Sequence, residues 1–191
     1  MRIAVFASGS GSNFQAIAES VQAGKIDGEI VLLFSDQKDA KVLERAEKLG
    51  IPSASFSPKD FSSKGIYEAE LLHLLEEKEV ELIVLAGYMR LIGPVLLEAY
   101  PEKIINIHPS LLPLFPGLHG IRDAFEAKVE ETGVTIHFID KGIDTGPVIV
   151  QEKVAIHSDD TLEGLEEKIH KVEHRLYPIV IQKIIQEKKE R

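Results

Sequence analysis

The chain has 191 residues, 44% hydrophobic and 28% charged, which suits one compact α/β unit with a sizeable core. Its 22 Lys and Arg face 31 Asp and Glu; the net charge of -9 argues against broad binding of nucleic acid or anionic membrane. Cysteine is absent, which excludes disulfides, thiolate nucleophiles and Cys-based zinc sites. No apolar run approaches the roughly 18 residues of a membrane helix, and the N-terminus enters a strand pattern directly. A cytoplasmic location is therefore expected.

Arg2 to Ala7 is an apolar run ending in a Gly/Ser cluster, the pattern of a buried strand and a turn. Ser12 or Asn13 can cap the next helix, whose apolar positions Phe14, Ile17 and Val21 have helical spacing. Glu29 to Phe34 reads as a second strand, and Ala40 to Leu49 as a helix stopped by Gly50 and Pro52. A short strand around Ser53 to Phe56 precedes a helix from Gly65 to Glu77. Leu82 to Ala86 is nearly continuous in apolar residues, as expected for a strand covered on both faces. This alternation predicts a doubly wound, mostly parallel α/β sheet of Rossmann-like type.

Beyond Gly87 the pattern gives a short helix over Pro94 to Ala99 and a strand at Lys103 to Ile107. Pro109, Pro113 and Pro116 predict an extended segment, because proline fixes φ and lacks the amide donor. A helix over Ile121 to Lys128 and a strand over Val134 to Ile139 follow. Gly142 and Gly146 then bracket a loop before a last strand, Val148 to Val154. From Asp160 the chain reads as a long C-terminal helix with Leu162, Leu165, Ile169, Val172 and Leu176 on its buried stripe. Pro178 is expected to kink or interrupt it, and Glu187 to Arg191 to form a frayed charged tail. No repeat or linker divides residues 1–191, so a single domain is expected.

Gly9-Ser10-Gly11-Ser12-Asn13 lies between the first strand and the first helix. Backbone amides at a helix start, with the helix dipole, form an anion site. A dinucleotide fingerprint would need glycine at position 14, where Phe14 stands, and the loop is too short for an ATP-type P-loop. A phosphomonoester fits better than a pyrophosphate. The plainer reading is a tight turn with no ligand.

The chain contains two asparagines, Asn13 in this loop and Asn106 in Asn106-Ile107-His108-Pro109-Ser110-Leu111-Leu112-Pro113. In an extended segment Asn106 and His108 point the same way, into one cleft at the carboxyl edge of the sheet. An amide donor beside an imidazole suits acyl transfer, where an oxyanion must be stabilised and a proton exchanged. Asp144, on a glycine-flanked loop, would favour the charged imidazole if it lay nearby. Residue chemistry leaves two readings open: a catalytic trio, or a polar loop residue beside an ordinary turn former.

Five motifs occur together and in order: G-S-G-S-N, L-A-G-Y-M-R (Leu85 to Arg90), N-I-H-P-S-L-L-P, P-G-L-H (Pro116 to His119) and D-x-G-P. Over almost the whole chain the sequence resembles the glycinamide ribonucleotide formyltransferases, folate-dependent enzymes of purine synthesis. N-I-H-P-S-L-L-P with a distant Asp-x-Gly-Pro is typical of 10-formyltetrahydrofolate enzymes generally. The glycine loop with P-G-L-H narrows the resemblance to the ribonucleotide enzymes. It implies that Gly11, Ser12 and Asn13 hold the ribonucleotide phosphate, with His170 and Glu173 near its glycinamide end or ribose. It also implies that Met89, Arg90, Leu91 and Ile92 contact the folate, largely through backbone groups. Asn106 and His108 would stabilise the oxyanion, and Asp144 would assist proton transfer. Asp140, Lys141, Gly142, Ile143 and Asp144 would form a folate loop. The donor would be 10-formyltetrahydrofolate, with small-molecule substrates, no metal and no obligate protein partner. Lys64 stands where the family often has a folate-contacting arginine, keeping the charge but losing the bidentate fork.

Other readings compete. A 10-formyltetrahydrofolate hydrolase usually carries an extra N-terminal regulatory domain, and a methionyl-tRNA formyltransferase a C-terminal RNA-binding domain; length and acidity disfavour both. His170-Lys171-Val172-Glu173-His174 spells an inverted-zincin pattern, with both histidines on one helix face. Two solvated histidines explain it as simply. A non-catalytic phosphate-binding module would show binding without turnover. His73, His119, His137 and His157 read mostly as structural or solvated residues, though His119 and His137 lie close enough in the pattern to line the cleft.

Overall fold

The computed structural model describes residues 1–191. Five mutually parallel strands come first: β1 (Arg2–Phe6), β2 (Glu29–Ser35), β3 (Ser53–Ser55), β4 (Leu82–Leu85) and β5 (Ile104–His108). β6 (Glu131–Phe138) and β7 (Val148–Ala155) then join antiparallel, completing the sheet order β3-β2-β1-β4-β5-β6-β7. Between them run α1 (Ser12–Gln22), α2 (Lys41–Lys48), α3 (Lys64–Glu77), α4 (Pro94–Ala99) and α5 (Gly120–Glu126), and α6 (Leu162–Lys189) ends the chain. None of these helices is long and apolar enough to cross a membrane.

Strand periodicity explains the layers. Ile3, Val5, Leu82 and Val84 bury into one core with Phe14 and Ile17 of α1 and Leu165, Ile169 and Tyr177 of α6. Their alternates Ala4, Phe6, Ile83 and Leu85 enter a second core with Tyr67, Leu71 and Leu75 of α3 and Leu96 of α4. The central strands are apolar throughout because helices cover both faces. The Tyr177 hydroxyl donates to the Leu85 carbonyl at 2.7 Å, fastening α6 beneath β4. β1 and β4 are neighbours, so the winding direction reverses there, and that switch point is where open α/β sheets bind ligands.

Several expectations need correction. α6 is not interrupted at Pro178; it is one 28-residue helix, Leu162–Lys189, so Glu187 to Lys189 are helical. Proline removes the amide that would bond the His174 carbonyl, but Tyr177, Pro178, Val180 and Ile181 are all buried. Packing outweighs the local penalty. The N-cap of α1 is Gly11, not Ser12 or Asn13, and makes no side-chain cap bond. Residues 109–119 form successive turns rather than an extended run. The Ser110 hydroxyl donates back to the Leu114 carbonyl at 2.5 Å, and the Leu114 amide to Leu111 at 3.0 Å. β5 begins and ends one residue later than expected, so His108 is its last strand residue.

Candidate active site

A cleft of about 670 Å³ opens along the carboxyl ends of β1, β4 and β5. That volume lies within the range of small-molecule sites. One part is made mostly of backbone. The first intrahelical bond of α1 runs from the Gln15 amide to the Gly11 carbonyl at 2.9 Å, leaving Ser12, Asn13 and Phe14 amides without helical partners. Gly11 has φ 76°, and an added Cβ would lie 2.4 Å from Val42 Cγ2, so conformation and space both require glycine. The Arg45 guanidinium donates to the Ser10 carbonyl at 2.6 Å, and the Val42 amide to Gly9 at 3.1 Å, holding the loop from outside.

Asn13 directs its amide nitrogen to Glu173 Oε2 at 3.0 Å. Glu173 is buried, and burial raises its pKa against the opposing influences of the Asn13 hydrogen bond and His170. His170 is exposed at the cleft edge and stacks on His174 at 6.3 Å. Glu173 faces Asn13, and no three His, Asp or Glu groups lie close enough together to hold a metal.

The other part is made of side chains carried by β5, β6 and two loops. Asn106 and His108 occupy the β5 face that Ile104 shares with the second core. Antiparallel pairing sets His137 opposite Asn106 and Thr135 opposite His108, which places cross-strand partners on one face. His137, read as mostly structural or solvated with a place in the cleft left open, is therefore a buried part of this site. Its Nδ1 lies 2.9 Å from the Phe138 carbonyl, which can only accept, so Nδ1 carries the proton. Burial lowers the pKa of His137, outweighing the favourable Phe138 and Asp144 contacts, and keeps the ring neutral. Bare Nε2 then accepts from Asn106 Nδ2 at 3.4 Å, which orients the amide and leaves its second N–H available.

His108 Nε2 donates to the Phe115 carbonyl at 2.8 Å, and Nδ1 faces Asp144 Oδ2 at 3.6 Å. Asp144 is held there by the Gly117 amide at 2.9 Å and lies 3.9 Å from His137 Nε2. The loop bearing Asp144 is shaped by Asp140, which accepts from Thr145 at 2.6 Å and from the Gly142 amide at 2.9 Å. Those two bonds hold the Asp140 carboxyl below the usual carboxylate range. An added Cβ at Gly146 would lie 1.8 Å from the Phe138 carbonyl oxygen, so the loop closes only with glycine there.

Met89, Arg90, Leu91 and Ile92 line the cleft, as do Asp140 through Asp144. The Arg90 guanidinium turns away to Asp36 at 2.8 Å, so its segment offers backbone to the cleft. Met89, Leu91, Leu118 and Ile143 leave apolar surface exposed beside it. Lys64 is not among the lining residues; it opens α3 with an exposed side chain behind the Ser63 cap.

The formyl transferase family profile matches residues 1–181. The chain is 51% identical over 184 residues to the phosphoribosylglycinamide formyltransferase of Bacillus subtilis (strain 168), covering 96% of this chain and 94% of that one. It is 44% identical over 179 residues to the trifunctional purine biosynthetic protein adenosine-3 of Drosophila melanogaster, covering 93% of this chain and 13% of that protein. The crystal structure of phosphoribosylglycinamide formyltransferase from Bacillus halodurans matches with a TM-score of 0.94 at 54% identity, covering 97% of this chain and 95% of that one. By sequence and by fold, the chain belongs to the formyl transferase family.

Proposed function

We propose that this enzyme transfers the formyl group of 10-formyltetrahydrofolate to the amine of glycinamide ribonucleotide. The products are formylglycinamide ribonucleotide and tetrahydrofolate, in de novo purine synthesis. One observation carries the reading: a single cleft contains both a helix start with three free amides, suited to an anion, and the Asn106, His108 and Asp144 cluster. Residues 1–191 work as one unit, with the ribonucleotide loop in the N-terminal half and the catalytic loops in the C-terminal half.

The Ser12 to Phe14 amides receive the phosphate, with Gly11 giving the backbone its approach. Glu173, His170 and the buried, unpartnered Asn13 Oδ1 meet the ribose or glycinamide end. The Met89 to Ile92 backbone and the Asp140 to Asp144 loop hold the folate. The amine nitrogen attacks the formyl carbon, and the carbonyl π pair moves onto oxygen. The free N–H of Asn106 donates to that oxyanion, and His108, protonated on both ring nitrogens, stabilises it as a cation. Asp144 takes a proton from the attacking amine and returns it to N10 as the carbon–N10 bond breaks. The oxyanion pair returns to carbon to restore the carbonyl as the C–N10 pair leaves with N10, which takes that proton.

The test is an absorbance assay of purified protein with both substrates. Folate deformylation that requires the ribonucleotide is the expected result. Formate release without the amine would favour the hydrolase reading, and phosphate binding without turnover would favour a binding module.

A further inference from the structure

A buried carboxylate that is not itself among the residues lining the cleft organises the backbone beside it. Asp36 follows β2, and its side chain is 1% exposed. Its Oδ1 accepts from the Ser8 hydroxyl at 2.6 Å, and its Oδ2 from Arg90 Nε at 2.8 Å and Gln37 Nε2 at 3.1 Å. The Ser8 oxygen in turn accepts the Met89 amide at 2.9 Å. Two consecutive residues of one segment are thus tied to one carboxylate. Met89 is tied through its backbone by way of Ser8, and Arg90 through its guanidinium.

The segment needs such ties. Met89 to Ile92 has no regular secondary structure between β4 and α4, and Met89 and Leu91 are exposed. Its far end is held by a second carboxylate, Glu68, which accepts the Gly93 amide at 2.6 Å. Burial alone would raise the Asp36 pKa; the bonds from Ser8, Arg90 and Gln37 outweigh it and hold the carboxyl below its usual range. Burying such a group is costly, and an apolar residue of similar volume would serve bare stability as well. A charge kept there is explained by the geometry it imposes.

We propose that Asp36 is a positioning residue for the folate: through Ser8 and Arg90 it sets the 89–92 backbone without touching either substrate. The inference rests on the reading of Met89 to Ile92 as the folate segment. The nucleotide loop is fixed separately, by Arg45 on Ser10 and Val42 on Gly9, so the effect is confined to the formyl donor.

Steady-state kinetics with each substrate varied, paired with thermal melting, test this on wild type, Asp36→Asn and Ser8→Ala. Asp36→Asn is expected to raise the donor KM about tenfold, as a lost charged hydrogen bond implies. The ribonucleotide KM should stay within about twofold and kcat within about threefold of wild type. Ser8→Ala should move the same parameter in the same direction by less, and carries the test alone if Asp36→Asn does not fold. A lowered melting temperature with an unchanged donor KM, or both KM values rising together, would overturn the inference and leave the functional reading standing. Wild type that neither binds nor deformylates the folate would overturn both.

Discussion

The two parts of the cleft are built from different material. The part we read as the nucleotide site, Gly9 to Phe14, is local: a glycine in the left-handed region and the three helix-start amides of Ser12, Asn13 and Phe14. The part we read as catalytic draws Asn106 and His108 from β5, His137 from β6 and Asp144 from a loop, so its geometry depends on all of them being in register. A backbone-built site tolerates side-chain change but not a change of conformation. A side-chain-built site tolerates small backbone adjustment but loses its chemistry with one substitution.

The largest expected effect breaks the catalytic part. Asn106→Ala and His108→Ala should each lower kcat about 100- to 1,000-fold, the cost of one oxyanion donor, with the ribonucleotide KM nearly unchanged. Near-normal rates in both variants would remove these residues from the chemistry. Gly11→Ala should do the converse. A strained φ and the clash with Val42 should cost about 1–3 kcal/mol of stability. The ribonucleotide KM should rise about tenfold, with kcat close to wild type. A rise in the folate KM instead would place the phosphate elsewhere.

Glu173 sharpens the contrast, because it is a buried side chain of α6 that meets the loop through Asn13. Its raised pKa means that the folded state holds the proton more tightly than the unfolded chain does. Stability therefore falls as pH rises from the unfolded carboxylate pKa through the raised folded value. Glu173→Gln removes that loss and should melt above wild type at neutral pH. The gain should vanish below the ordinary carboxylate range, and the ribonucleotide KM should rise. A melting difference independent of pH would contradict the assignment. The smallest effect belongs to Ser12→Ala, which keeps the amide. Its ribonucleotide KM should move no more than about threefold, since a neutral hydrogen bond nets only about 1 kcal/mol.

Legibility in the sequence follows the same division. Continuous apolar runs such as Leu82 to Leu85 and helical spacings such as Phe14 and Ile17 are local signals, and the parallel half of the sheet is readable from them. The glycine loop is readable for the same reason. His137 was left open, although it follows Thr135 by two residues, with Val134 and Ile136 on the opposite face. That period places it on one face of a strand, but only the antiparallel register sets it against Asn106. The proximity of Asp144 to His108 came from resemblance, because the Gly117 amide that holds Asp144 lies 27 residues away in sequence. Pro178 misled in the opposite direction: a strong local breaker was overridden by tertiary burial.

The fate of the formyl carbon tests the central claim most directly. With 13C-labelled 10-formyltetrahydrofolate, glycinamide ribonucleotide and the purified protein, carbon NMR should show the label moving into a formamide on the ribonucleotide, in step with tetrahydrofolate formation. Label recovered as free formate, or retained on the folate while the ribonucleotide is bound, would contradict it.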